Sequence, residues 1–316
     1  MQVDLVVLGS GPGGYSAAFR AADLGLGVAL VERAPTLGGV CLNMGCIPSK
    51  ALLHAAKVVS EVREMNDHGL SFGAPVIDPQ KLAGWKSKVV GQLTGGLAAL
   101  AKQRKVQVVN GVGMFTSPSV LRVTSDSCET DIEFKNAIVA AGSEPMAIPG
   151  FPNDDPRLID STGALELADI PPRLLVIGGG VSGLEMATVY MELGSQVTVV
   201  ELLDGLMAGA DRDLVKPLQK RMRERLEAVY TSTRVTRIDP QTDALIAHFE
   251  GDGAPASAPF DKILVAVGRQ PNGARIGLDN AGVSVDEHGF VTVDKQQRTN
   301  VAHIFAIGDI VGQPML

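Results

Sequence analysis

The chain has 316 residues, 45% hydrophobic and 20% charged, with a formal net charge of -7 at pH 7. That length gives room for two or three domains with sizeable cores, and the acidic balance argues against a nucleic-acid partner or an anionic membrane surface. No apolar run reaches the roughly 18 residues of a bilayer span, and the 3 cysteines are too few for a secreted disulfide framework.

Met1-Gln2-Val3-Asp4 runs straight into an apolar strand with no basic leader, so the expected location is cytoplasmic. Leu5-Val6-Val7-Leu8 has the continuous apolar character of a strand inside a parallel sheet. It leads into Gly9-Ser10-Gly11-Pro12-Gly13-Gly14, then a helical stretch through Ala17, Ala18, Ala21 and Ala22. After Gly25 a second strand, Val28-Ala29-Leu30-Val31, ends on Glu32. This is the pattern of a dinucleotide cradle. Gly9 makes the tight turn, Gly11 lets the backbone approach a pyrophosphate, and Gly14 lets the helix pack closely on the strand. The helix N-terminus offers unpaired N–H groups and partial positive charge to phosphates, and Glu32 can accept hydrogen bonds from a ribose diol.

Gly38-Gly39-Val40-Cys41-Leu42-Asn43-Met44-Gly45-Cys46-Ile47-Pro48-Ser49-Lys50 follows. Two cysteines five residues apart, just beyond a nucleotide cradle, suggest a disulfide that exchanges electrons with the bound nucleotide. A cytosolic disulfide is usually catalytic or redox-sensing. The residues between the cysteines read as irregular, with a helix starting near Pro48. A helix N-terminus favours thiolate over thiol, so a stable thiolate is expected at Cys46. A pair of buried thiols and two of four zinc ligands are the other readings of the spacing. No second Cys/His cluster lies nearby to complete a zinc site, so no metal is expected. Cys128, in Ser125-Asp126-Ser127-Cys128-Glu129, reads as a bystander.

Lys81 to Lys105 reads as a long, glycine-interrupted helix around Trp85 and Leu97. Phe115 to Ile132 reads as hairpin strands, with the sheet resuming at Ile138. The cradle then recurs: Leu174-Leu175-Val176-Ile177 leads into Gly178-Gly179-Gly180-Val181-Ser182-Gly183, and Val197-Thr198-Val199-Val200 ends on Glu201. Gly9, Gly11, Gly14, Gly25 and Glu32 map onto Gly178, Gly180, Gly183, Gly194 and Glu201 at a constant offset of 169 residues. A lone GxGxxG is a weak signal, but two complete strand–turn–helix–strand–acid units in one register imply two dinucleotides. Glu201 would repel a 2′-phosphate, and Leu202-Leu203-Asp204 offers no arginine to neutralise one, so NAD(H) is favoured at the second cradle. Lys216 to Arg225 reads as the solvated face of a helix, without the interleaved aromatics of a nucleic-acid surface.

The segment Gly38 to Leu53 resembles the signature of the pyridine nucleotide–disulfide oxidoreductases, in the form carried by the dihydrolipoyl dehydrogenases of 2-oxo acid dehydrogenase complexes. The resemblance extends from Asp4 to Leu316. Its later marks are Ile138-Val139-Ala140-Ala141-Gly142-Ser143, Gly268-Arg269-Gln270-Pro271-Asn272 and the closing run Thr299 to Asp309. Glutathione and mercuric reductases share the outline, but Ile47 to Leu53 and Asp309 to Leu316 look most like bacterial dihydrolipoyl dehydrogenases.

The resemblance implies an α/β fold of two Rossmann-like domains with parallel sheets. The FAD domain would comprise residues 1–147 and 272–316, with an NAD domain, 148–271, inserted. FAD would be bound by Gly9, Gly11, Gly14, Glu32, Lys50, Gly113, Ser143 and Asp309, with Asp309 accepting from the ribityl chain. NAD would be bound by Gly178, Gly180, Gly183, Glu201 and Gly268. Cys46 would be the thiolate against the flavin, Cys41 the thiol that exchanges with substrate sulfur, and Lys50, paired with Glu185, the cation near flavin N5. The implied substrate is dihydrolipoamide on lipoyl domains, and the implied state of the full-length parent is a homodimer.

Three departures stand out. Ser182 replaces a branched apolar residue and Ala187 a glycine, which bears on nicotinamide placement near Glu185. Family members also continue into a dimer-interface domain that supplies a histidine base held by a glutamate. None of His54, His68, His248, His288 or His303 matches that motif. The expectation is a truncated form, equipped for FAD and NAD but incomplete for lipoamide turnover. The rival readings are another disulfide reductase of the mercuric reductase kind and a catalytically silent fragment.

Overall fold

In the computed structural model, which describes residues 1–126, 128–251 and 253–315, packing divides the chain into two units. One comprises Met1–Ile47, Lys88–Glu144 and Arg269–Leu316; the other comprises Pro48–Ser87 and Pro145–Gly268. Residues 48–87, which the sequence groups with the first cradle, pack instead with the second. Leu316, the last residue of the Asp309 to Leu316 segment, lies outside the described residues.

The first unit is built on the strand Gln2–Leu8, paired in parallel with Val28–Glu32 on one side and Glu129–Val139 on the other. Side chains alternate between the two faces of a strand. Leu5, Val7, Val28 and Leu30 accordingly face the helix Pro12–Asp23 and its Ala18, Phe19 and Ala21. Val6, Leu8, Ala29 and Val31 face a second core with Phe115, Leu121, Ile132 and Ile304. The predicted hairpin is present as Val112–Ser117, Val120–Thr124 and Glu129–Val139. The sheet does not wait until Ile138 to resume, however. One strand from Glu129 pairs antiparallel with Val120–Thr124 in its first half and parallel with Ile304–Ala306 in its second.

The second unit repeats the parallel core. Its strand order is Ala228–Tyr230, Gln196–Val200, Arg173–Ile177, Lys262–Val265, Leu158–Ile159. The helix Val181–Leu193 covers one face through Leu184, Ala187 and Val189. A three-stranded antiparallel sheet, Thr233–Pro240, Leu245–Gly251 and Ser257–Phe260, contributes Val235, Ile238, Leu245 and Phe260 to the core with Leu175, Val200 and Ile263. The predicted long helix is Pro79–Gln103 and the basic run lies on Arg212–Arg225. Within the described residues no helix is long and apolar enough to cross a membrane.

Candidate functional site

In the first cradle Gly9 adopts a φ of +100° and its amide donates to Val31 O at 2.8 Å, closing the turn. A Cβ there would lie 2.2 Å from Ala140 O, and one on Gly14 only 1.8 Å from Gly9 O. Both positions therefore exclude any side chain for steric reasons. Gly11 is different: a Cβ on it would meet nothing within 4 Å. Its open face borders the start of the helix Pro12–Asp23, which has proline in its first turn and no side-chain N-cap bond. Such a terminus presents N–H groups to an anion, so the residues present fit a pyrophosphate.

The second cradle reproduces this geometry. Gly178 has φ +110° and donates to Val200 O at 2.8 Å. A Cβ on Gly178 would lie 2.4 Å from Ala266 O and one on Gly183 2.1 Å from Gly178 O, while Gly180 again faces open space. The repeat also reaches the acids. Glu32 Oε2 accepts from the Ser10 amide at 2.9 Å and Oε1 from the Ala34 amide at 2.8 Å. Glu201 Oε2 accepts from the Gly179 amide at 2.6 Å and Oε1 from the Leu203 amide at 2.8 Å. Each carboxylate braces its own loop, and each Oε1 keeps one lone pair for a further donor such as a ribose hydroxyl.

The dithiol segment is more ordered than its sequence predicts. Leu42, Asn43 and Met44 belong to a short helix, Gly39–Met44, that also contains Cys41, and Cys46 is the first residue of the helix Cys46–Glu64. Asn43 closes the turn: its Nδ2 donates to Gly39 O at 2.9 Å and Leu37 O at 3.2 Å, while Oδ1 accepts from Thr36 at 2.8 Å. The chain then folds back so tightly that a Cβ on Gly45 would lie 3.0 Å from Val40 O and 3.4 Å from Cys41 Cα. Cys41 and Cys46 are both half-buried.

Ser143 and Asp309, 166 residues apart, meet in the first unit: the Ser143 hydroxyl donates to Asp309 Oδ2 at 2.6 Å. Sequence reasoning missed the group that organises them. Arg269 donates through Nε to Ser143 Oγ and through Nη2 to Ser143 O, both at 2.6 Å. The only signal for it in the sequence is its place in the Gly268-Arg269-Gln270-Pro271-Asn272 run. Beside it, hydrogen bonding to Arg33, reinforced by Arg275, holds the Glu144 carboxyl below the usual carboxylate range. Gly113 is a packing glycine, since a Cβ would lie 2.5 Å from Leu8 Cδ1.

In the second unit Lys50 Nζ lies 2.5 Å from Glu185 Oε1. Ser182 is exposed and Ala187 buried. Gly268 has φ +144° and its carbonyl accepts from the Met146 amide at 3.1 Å. The basic run is not simply a solvated face. Arg225 reaches Glu192 at 2.5 Å and Arg63 reaches it at 3.1 Å, and the Glu192 side chain is only 1% exposed. The Arg225 contact is a close ion pair rather than an aligned hydrogen bond, leaving Glu192 Oε1 without a well-directed donor. Of the histidines, His54 lies beside Trp85, His248 pairs with Asp239 at 2.8 Å, His303 bonds Pro118 O, and His68 and His288 are exposed.

Comparison with known proteins gives a consistent picture. The profile of the pyridine nucleotide-disulphide oxidoreductases matches residues 3–316. A dihydrolipoyl dehydrogenase of Vibrio cholerae serotype O1 is 55% identical over 317 residues, covering 100% of this chain and 66% of that protein. One from Haemophilus influenzae is 50% identical with the same coverage. A solved structure, the Cu(II) complex of the HOCl-induced flavoprotein disulfide reductase RclA from Escherichia coli, superposes with a TM-score of 0.88 at 28% identity. It covers 100% of this chain and 68% of that one. The chain thus spans just under two thirds of the length of those dehydrogenases.

Proposed function

This chain belongs to the pyridine nucleotide-disulphide oxidoreductase family, and on that premise we propose that it forms the FAD- and NAD-binding part of a dihydrolipoyl dehydrogenase. The family's cofactors are FAD and NAD(H). The observation that carries the reading is the dithiol segment seated on the first of two cradles built in one register. FAD is assigned to Gly9, Gly11, Gly14 and Glu32, with Ser143 and Asp309 on its ribityl side, and NAD to Gly178, Gly180, Gly183, Glu201 and Gly268.

The proposed substrate is dihydrolipoamide carried on the lipoyl domains of a 2-oxo acid dehydrogenase complex, in the cytoplasm, and the proposed whole protein is a homodimer. A substrate thiolate attacks Cys41 of the Cys41–Cys46 disulfide, forming a mixed disulfide and releasing Cys46 as thiolate. The second substrate thiolate attacks its own mixed-disulfide sulfur, closing the lipoamide ring and leaving the protein as dithiol. Bound FAD supplies a two-electron acceptor between that dithiol and NAD+. Lys50, one turn beyond Cys46 on the same helix and held by Glu185, supplies positive charge where negative charge develops. Glu201 favours the unphosphorylated ribose of NAD.

Anaerobic titration of the FAD-loaded chain with NADH tests this reading. A long-wavelength absorbance band between thiolate and flavin is expected in the parent and absent from Cys46→Ser. Flavin that bleaches identically in both proteins would overturn it.

A further inference from the structure

Ser10 is completely buried between the first cradle and the dithiol segment. The nucleotide-binding turn uses its amide, and the hydroxyl has a separate set of contacts. Oγ donates to Glu32 Oε2 at 2.5 Å and accepts from the Gly38 amide at 3.2 Å, while the same amide donates to Ser10 O at 3.0 Å. Immediately beyond, Gly39 seats on the glycine loop so closely that a Cβ would lie 2.6 Å from Gly11 Cα. Cys41 is two residues further on.

The second cradle shows which part of this is special. There the Met207 amide donates to Gly179 O at 2.9 Å, the counterpart of Gly38 on Ser10 at the same offset. The hydroxyl has no counterpart and no room for one, because a Cβ on Gly179 would lie 2.5 Å from Leu206 Cδ2. The carbonyl contact is common to both copies. The hydroxyl contact exists only where the following segment carries the cysteines.

We propose that Ser10 is a positioning residue for the Cys41–Cys46 couple: its hydroxyl, locked by Glu32, fixes the dithiol segment on the glycine loop and so raises the effective concentration of each thiol at the other. The inference rests on the reading of Cys41 and Cys46 as an exchanging pair. A disulfide needs a narrow range of Cα separation and dihedral angle, and a segment free to rock on its cradle spends less time within that range.

The couple can be read without any bound cofactor. The purified chain is equilibrated with mixtures of glutathione and glutathione disulfide. Oxidation forms the Cys41–Cys46 bond, breaks the glutathione disulfide, and leaves both protons and both electrons on two glutathione thiols. Trapping and mass spectrometry then give the effective concentration. Ser10→Ala, and Ser10→Gly as the mimic of the second cradle, should each lower it about fivefold or more. Amide exchange in the peptide covering residues 37–46 should quicken in both variants. Variants that match the parent within about 1.5-fold, with unchanged exchange, would overturn the role of Ser10 alone. A parent chain that forms no Cys41–Cys46 disulfide at any ratio would overturn the exchanging-pair reading and this inference with it.

Discussion

Lys50 and Glu185 lie 135 residues apart in the chain and 2.5 Å apart in space. The Lys50 side chain is 59% exposed, so the pair contributes about 0–1 kcal/mol to folding. Its value must then be sought in the charge it places. Glu185→Gln and Lys50→Met should leave the melting temperature within about 3 °C of the parent. Stopped-flow reduction of the FAD-loaded chain by NADH should slow about tenfold. Equal rates in parent and variants would reduce the pair to a surface contact.

The open faces of Gly11 and Gly180 separate binding from folding. Gly180 has φ -82°, and a Cβ added to it would meet nothing within 4 Å, so Gly180→Ala encounters neither strain nor clash. It should fold normally and retain FAD, yet bind NADH about tenfold or more weakly by fluorescence titration. Gly183→Ala puts a Cβ 2.1 Å from Gly178 O and should destabilise the second unit by about 3 kcal/mol in urea unfolding. A normal NADH affinity in Gly180→Ala would remove the pyrophosphate from that face.

Glu192 predicts an asymmetry. Removing Arg225 leaves a carboxylate whose side chain is 1% exposed with Arg63 alone, whereas removing Glu192 leaves arginines that can turn toward water. Arg225→Met should therefore cost about 3 kcal/mol and Glu192→Gln distinctly less, in chemical denaturation of each variant. The reverse order would show that the arginines, not the buried acid, dominate the cluster.

Asp261 links stability to acid pH. Hydrogen bonding to Arg173 holds its carboxyl below the ordinary value of 3.8 in the folded chain. A depressed folded value stabilises above the unfolded value, and that contribution is lost as pH falls through the folded one. Because both side chains are partly exposed, the effect amounts to about 1 kcal/mol. Asp261→Asn should be less stable than the parent at pH 7, with the gap closing below about pH 4. A gap that persists unchanged at pH 3 would assign the loss to packing.

The sequence alone determined the two cradles, their register and the likeness of their acids, because these follow from rules acting over a few residues. A φ near +100° admits glycine readily, a carbonyl 1.8 Å from a Cβ position admits nothing else, and strands buried on both faces are continuously apolar. The short helix between the cysteines escaped that reading because its turn is closed by the Asn43 side chain, a choice that composition does not announce. Tertiary structure decided which distant groups meet: Lys50 with Glu185, Arg269 with Ser143, and Arg63 and Arg225 with Glu192. It also decided that residues 48–87 pack with the second cradle rather than the first. Even Ser10, one residue inside the motif, gained its meaning only when the chain returned 28 residues later to lay the Gly38 amide on its hydroxyl. Local sterics are written into neighbouring residues, whereas the pairing of side chains far apart depends on how helices settle on a sheet, which no short window of sequence contains.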